Sequence, residues 1–273
     1  MPKPPKLSQV TQLLSLSEEK RKEVLDKLQA TNPTAYDELN DYFKANRGVL
    51  VEALGYDHWL RHLGHQSFTR PFAPIHKEFW KWNWEVLVKI REGEPLDPTD
   101  LVAFIPWSRE YGKSTVVEWA AIAEGAMLKG GYVIFCSSRQ SQAEEHVVAI
   151  RNRIESEGVA KLYPWLGKPK MGAHGNKFGW ARDFLMTAGG WAIRPVGLDV
   201  AIRGGKVLNM RPSLLIFDDI DELGDSPYVV ENKERTLTRS ILPMGTDKTR
   251  VLVAQNPIHE NSMVNRMLTH VSL

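Results

Sequence analysis

The spacing of apolar and polar positions changes character near residue 65. Up to about residue 60 apolar positions recur at helical spacing, as at Val24, Leu25 and Leu28. Ser17 stands as an N-cap before them, with Glu18 and Glu19 in the first turn. "NPT" (Asn32 to Thr34) breaks that helix and "AYDELNDYF" starts another. From about Ser67 short apolar runs alternate with longer helical ones. "LVAFIPW" reads as a short buried strand, and "STVVEWAAIAEGAMLK" as an amphipathic helix ending at Gly130-Gly131. "YVIFCSS" is a second strand and "QSQAEEHVVAIRNRIESEG" a second helix. "FLMTAGGWAIRPVG" reads as a hairpin turning at Gly189-Gly190. "SLLIFDDID" is a buried strand ending in acids, "YVVENKERTLTRSIL" a helix and "TRVLVAQNP" a last strand.

This pattern predicts a helical N-terminal subdomain over 1–64 and an α/β domain over 65–273. Apolar strands alternating with helices form a mostly parallel sheet covered on both faces. Ligands bind such sheets at the carboxyl ends of the strands. The polar clusters fall there: Ser108 to Ser114, Asp218 to Glu222, and Gln255-Asn256.

Composition narrows the class without naming a chemistry. The chain has 42% hydrophobic and 25% charged residues, which excludes disordered and collagen-like classes. A net charge of +2 means that any nucleic-acid contact must come from local basic clusters. Lys168 and Lys170 in "LGKPKMG" form one basic loop. The single cysteine, Cys136, excludes an intramolecular disulfide and fits a reducing compartment. No apolar run reaches the roughly 18–20 residues of a membrane span, and no secretory signal is expected.

The loop "PWSREYGKST" carries the second half of the phosphate-loop pattern G-x-x-x-x-G-K-[ST], with Trp107 in place of the first glycine. Backbone N–H groups at a strand-to-helix turn point at an anion, and the helix N-terminus adds positive charge. The expected phosphate-binding set is Ser108, Arg109, Glu110, Tyr111, Gly112, Lys113, Ser114 and Thr115. On this pattern Gly112 would permit close approach, Lys113 would bridge the terminal phosphates of a nucleotide, and the Ser114 hydroxyl would hold Mg²⁺. Asp218 is the expected magnesium-linked acid and Asp219 the activator of the attacking water, with Asp221 and Glu222 as alternatives for the base. Gln255 and Asn256 end the next strand, where a polar pair can sense the terminal phosphate. Arg109 is placed to reach a phosphate of its own subunit. Arg203, beside Gly204-Gly205, is placed for presentation to a neighbour's nucleotide. In "FTRPFAPIHKEFWKW" apolar groups can pack on adenine while His76 reads its edge; Trp80, Trp82 and Trp84 read as core.

With these motifs in place, residues 65 to 265 resemble the ATPase domain of the large terminase subunit of tailed double-stranded DNA bacteriophages. "SREYGKST" looks like the terminase phosphate loop, and "AIRGGKVLNMRPSLLIFDDID" is similar to the terminase stretch entering the acidic strand. "RVLVAQNP" occupies the place of the coupling motif. The resemblance implies a P-loop NTPase fold of the RecA/ASCE-like kind and an ATP hydrolase that translocates double-stranded DNA into a viral procapsid. It also implies a portal protein and a small terminase subunit as partners, a homo-oligomeric ring of five, and action in the host cell cytoplasm, transiently at the procapsid. Two residues depart from the pattern: Asp219 stands where the family has Glu, and His76 where it has Gln. The family's C-terminal nuclease domain is not expected in a chain ending at Leu273, nor is nuclease activity. Two other functions fit parts of the pattern. A superfamily-two-like helicase or translocase would need a second RecA-like domain. A nucleotide-binding module without hydrolysis would fit the exchange of Glu for Asp219.

Overall fold

Among residues 12–13, 16, 18–45, 47–108, 110–199, 210–256 and 262–266, which a computed structural model describes, helices prevail up to residue 92 and strands alternate with helices beyond. Two units emerge. One runs to Pro95 and includes Lys161–Tyr163; the other comprises Leu96–Ala160 and the chain from Pro164.

The first unit holds helices Glu18–Thr31, Pro33–Ala45, Arg47–Ala53, Tyr56–Leu63 and Pro74–Glu92. Asn32 separates the first two: its side-chain Oδ1 accepts from the Ala35 N–H at 3.0 Å, capping a helix whose first residue is Pro33. Ser17, the expected cap before Glu18, lies outside the described residues. The helix Pro74–Glu92 ends at Gly93, whose φ of 75° is the left-handed cap conformation. Its Trp84 meets Trp59 with ring centroids 5.7 Å apart, and its Trp80 meets Phe68 edge-on at 6.4 Å. Trp80 and Trp84 are buried and Trp82 is half-buried. This aromatic packing carries the helical unit past residue 64, where the sequence pattern puts its end, to Pro95.

The second unit is α/β. Its strands are β1 (Val102–Ile105), β2 (Tyr132–Ser137), β3 (Lys170–Met171), β4 (Lys177–Phe178), β5 (Leu185–Met186), β6 (Ala192–Gly197), β7 (Leu214–Asp218) and β8 (Arg250–Ala254). Six form one sheet in the order β1-β8-β7-β2-β6-β5, parallel throughout except for antiparallel β5. The β5–β6 hairpin turns through Gly190, at φ 88°, with the Thr187 N–H donating to the Trp191 carbonyl. β3 and β4 pair separately, and Lys170 in β3 is exposed.

Alternation along β2 shows how both faces are covered. Tyr132, Ile134 and Cys136 join a core with Val230, Leu237 and Ile241, from the helix Pro227–Thr236 and the π-turn Leu237–Ile241 that continues it. Phe135 points the other way and stacks on His146 of the helix Gln140–Ile154.

Two expectations need correction. The β1 strand is not fully buried: Val102 is 42% exposed, because β1 is the sheet's edge. The helix Lys113–Leu128 is not amphipathic but buried on nearly every side, including Glu118 and Glu124. Those two acids are held by partners: Glu118 by Arg153 and His146, Glu124 by Ser213 and, at 3.7 Å, Arg250.

Register builds the site. Ile105 of β1 lies beside Ala254 of β8, and Ala254 lies beside Asp218 of β7. These residues form one row across the sheet's carboxyl edge. The segments that follow them (the Gly112 loop, Gln255-Asn256 and Asp219 to Glu222) therefore leave the sheet side by side.

Candidate functional site

The loop after β1 makes two left-handed steps before its helix begins, at Glu110 (φ 71°) and Gly112 (φ 70°). A Cβ on Gly112 would meet nothing within 4 Å, so glycine serves the backbone conformation here rather than making room for a neighbour. Among the described residues no side chain caps the helix Lys113–Leu128 that follows. The N–H groups of its first turn therefore remain available to an acceptor from outside the chain. Lys113 is buried, and its Nζ donates to Asn256 Oδ1 at 2.7 Å and to the Ser108 carbonyl at 3.4 Å.

A cleft of about 580 Å³ opens over this turn, within the range of roughly 300–1,000 Å³ usual for small-ligand pockets. The loop and helix start contribute Glu110, Gly112, Lys113, Ser114 and Thr115 to its lining. The segments after β7 and β8 contribute Asp219, Asp221, Glu222, Leu223 and Asn256, and the helix Gln140–Ile154 contributes Gln142. Among the described lining residues Lys113 is the only cation facing several acids.

Asp218 lies at the end of β7, fully buried. Neither of its carboxylate oxygens meets hydrogen-bond geometry with a described group. His146 Nε2 stands 3.3 Å from Oδ2, and the Ser114 hydroxyl is near enough to draw the carboxyl's pKa down. Burial dominates and pushes that pKa up to about 6; His146 and Ser114 oppose it, while Asp219 and Glu118 add to it. A buried carboxylate short of donors is a costly arrangement that a cation relieves. His146 itself feels burial first, which disfavours its charged form. The hydrogen bond that its ring N–H donates to Glu118 and the charges of Asp218, Glu118 and Asp219 outweigh that and raise its pKa.

The acids after Asp218 have different occupations. Asp219 adopts a left-handed backbone (φ 46°), and its exposed carboxylate lines the cleft without a side-chain hydrogen bond among the described residues. Asp221 is buried, and its two oxygens accept from the Met263 and Val264 N–H groups, each at 2.9 Å. Glu222 accepts from Arg139 through both oxygens, at 3.0 and 2.8 Å, and this pairing lowers its pKa. The turn holding them is pinned from below: buried Lys233 donates to Ser138 Oγ, the Ile220 carbonyl and Asp225 Oδ2. Gln255 is buried behind the turn, where its Oε1 accepts from the Asp221 N–H at 3.1 Å.

Several residues named from sequence thus converge, and others do not. Glu110, Gly112 to Thr115, Asp219 and Asn256 line one cleft, and Asp218 adjoins Ser114 beneath it. Ser108 contributes its carbonyl to Lys113, and Tyr111 is 48% exposed outside the lining. Gln255 supports the acidic turn rather than lining the cleft. His76 belongs to the helical unit, where its Nδ1 accepts from the Ala73 N–H at 3.1 Å and caps the helix Pro74–Glu92. Arg109 and Arg203 lie outside the described residues. Glu118, Arg139, Gln142, His146 and Arg153 were not singled out from sequence. A signal existed for two of them: Gln142 and His146 are four apart on one helix, a polar pair on the face next to the loop helix.

No protein-family model matches the chain, and no curated protein matches it. Among the described residues no group of three or more His, Cys, Asp or Glu side chains has a metal-holding arrangement, and no helix is long and apolar enough to cross a membrane. A divalent cation at Asp218 would therefore draw further oxygens from Ser114, from water and from a bound ligand. That division suits Mg²⁺, which keeps several waters and binds through one or two carboxylates plus phosphates.

Proposed function

We propose that this cleft is the nucleotide site of a P-loop, RecA/ASCE-like ATPase and that the chain hydrolyses ATP. One observation carries the reading: a fully buried Asp218, whose oxygens make no well-formed hydrogen bond with a described group, adjoins Ser114 in the first turn of a helix that starts at left-handed Gly112. Ser114 and Asp218 would hold Mg²⁺, which when bound offsets the charge of the phosphate oxygens.

The chain's own groups then divide the work. The N–H groups of the first helical turn, uncapped among the described residues, receive phosphate oxygens. Lys113 exchanges Asn256 for those oxygens, which releases the Asn256 amide to register whether a terminal phosphate is present. Asp219 takes the proton from the attacking water, since its carboxylate faces the cleft while Asp221 and Glu222 are engaged elsewhere. The resemblance of "SREYGKST" and of the stretch around Arg203 to terminase sequences supports a narrower reading. On it the chain is the motor domain of a large terminase subunit, working on double-stranded DNA in a ring of five with a portal protein and a small terminase subunit.

Phosphate release by the purified protein tests the site. Replacing Lys113 by Ala is expected to lower turnover by about a hundredfold or more. Turnover equal to wild type in that variant would place the chemistry elsewhere.

A further inference from the structure

His146 has a position that the ATPase reading does not use. It projects from the middle of the helix Gln140–Ile154, where a solvent-facing or core residue would be ordinary, yet each of its ring nitrogens faces a carboxylate. Nδ1 lies 2.7 Å from Glu118 Oε1, and Nε2 lies 3.3 Å from Asp218 Oδ2. The ring is fixed in two further ways. It stacks on Phe135 of β2, with centroids 4.7 Å apart and planes 26° from parallel. Its anchor Glu118 is itself held by Arg153, one helical stretch further along. Glu118 in turn lies four residues after Ser114 on the loop helix, on the same face.

We infer that His146 is a positioning residue: locked by Glu118 and Phe135, its ring stands with Nε2 3.3 Å from Asp218 Oδ2, restricts that oxygen and leaves Oδ1 for the cation beside Ser114. This inference rests on the nucleotide-site reading above. A lone buried carboxylate can rotate about its terminal bond, which has a broad, two-fold profile. A fixed ring close to one oxygen restricts that freedom before any ligand arrives. Groups that orient metal-linked carboxylates in this way typically account for about 10- to 100-fold in metal affinity. The array also couples the two helices on one face of the sheet, because Glu118 belongs to one and His146 and Arg153 to the other.

Mn²⁺ binding to the protein–ADP complex, read from the electron paramagnetic resonance signal of free Mn²⁺, tests this without reference to turnover. ADP affinity is measured in parallel with the metal chelated. A Gln at this position can place its amide N–H near the site of Nε2, whereas an Asn reproduces only the Nδ1 side. His146→Asn is therefore expected to weaken Mn²⁺ by about tenfold or more, and His146→Gln by much less, with metal-free ADP affinity unchanged in both. Loss of packing alone would lower the melting temperature of both variants without separating them in Mn²⁺ affinity. Wild-type Mn²⁺ affinity in His146→Asn overturns the inference, as does equal weakening in the two variants. Where His146→Asn does not fold, Glu118→Gln is read in its place, since it keeps the anchor's shape and removes its charge. A several-fold loss of Mn²⁺ affinity then supports the inference and wild-type affinity overturns it. If wild-type protein binds no ADP at all, the nucleotide-site reading fails first, which separates that failure from failure of the His146 role alone.

Discussion

Three acids within four positions, Asp219, Asp221 and Glu222, look interchangeable until their partners are known. Asp221 spends both oxygens on backbone N–H groups of residues 263 and 264, and Glu222 spends both on Arg139. Asp219 alone of the three faces the cleft without such an engagement among the described residues. The three substitutions should therefore separate. Asp219→Asn is expected to cut ATP turnover by about 10²- to 10⁴-fold with nucleotide binding kept. Asp221→Asn is expected to cost about 1 kcal/mol of stability through its lost caps, visible in denaturant titration. Glu222→Gln should change stability little, since its pair with Arg139 is largely exposed. Full turnover in Asp219→Asn would contradict the proposed role of Asp219.

At the scale of elements, most strands were legible because they are short apolar runs bounded by turn residues. Their burial was not, as Val102 shows: whether a strand is an edge depends on the sheet order, which no local pattern encodes. The loop helix misled for a related reason. Its sequence suggests an amphipathic helix, yet Glu118 and Glu124 are both buried against Arg153, His146, Ser213 and Arg250 from elsewhere in the chain. In the helical unit the same kind of distant pairing centres on Tyr163, whose hydroxyl donates to Glu52 and accepts from Trp59 Nε1, each at 2.8 Å. Burial, and then the neighbouring Glu52, raise the Tyr163 pKa well above its ordinary value of about 10. The folded unit thus retains the proton that the unfolded chain gives up. The stability this confers is complete below about pH 10 and is lost as pH rises toward the folded pKa. Tyr163→Phe is expected to cost about 1–3 kcal/mol at neutral pH, because Trp59 and Glu52 lose a shared partner. Denaturation midpoints measured between neutral and alkaline pH should fall less steeply in this variant than in wild type; parallel curves would contradict the assignment.

For the whole molecule, the register that places Ile105, Ala254 and Asp218 in one row explains why three sequence clusters far apart in the chain meet at one cleft. Spacing in sequence pointed to the carboxyl edge of a parallel sheet, and that edge is where they lie. The terminase reading adds a claim about assembly: if Arg203 acts on a neighbour's nucleotide, turnover per molecule should rise with protein concentration, more steeply than a self-contained site allows. Arg203→Ala should then abolish the rise while leaving nucleotide binding largely intact. Constant turnover per molecule across the series would remove the trans role of Arg203.

The claim on which the rest depends is that the cleft binds ATP with a divalent cation. Isothermal titration of ATP into the protein, with Mg²⁺ and with the metal chelated, measures it most directly. The account predicts saturable one-to-one binding that Mg²⁺ strengthens and that Lys113→Ala weakens by about tenfold or more, a loss of at least about 1.4 kcal/mol. Absence of binding at millimolar ATP, or equal affinity in wild type and Lys113→Ala, would contradict it.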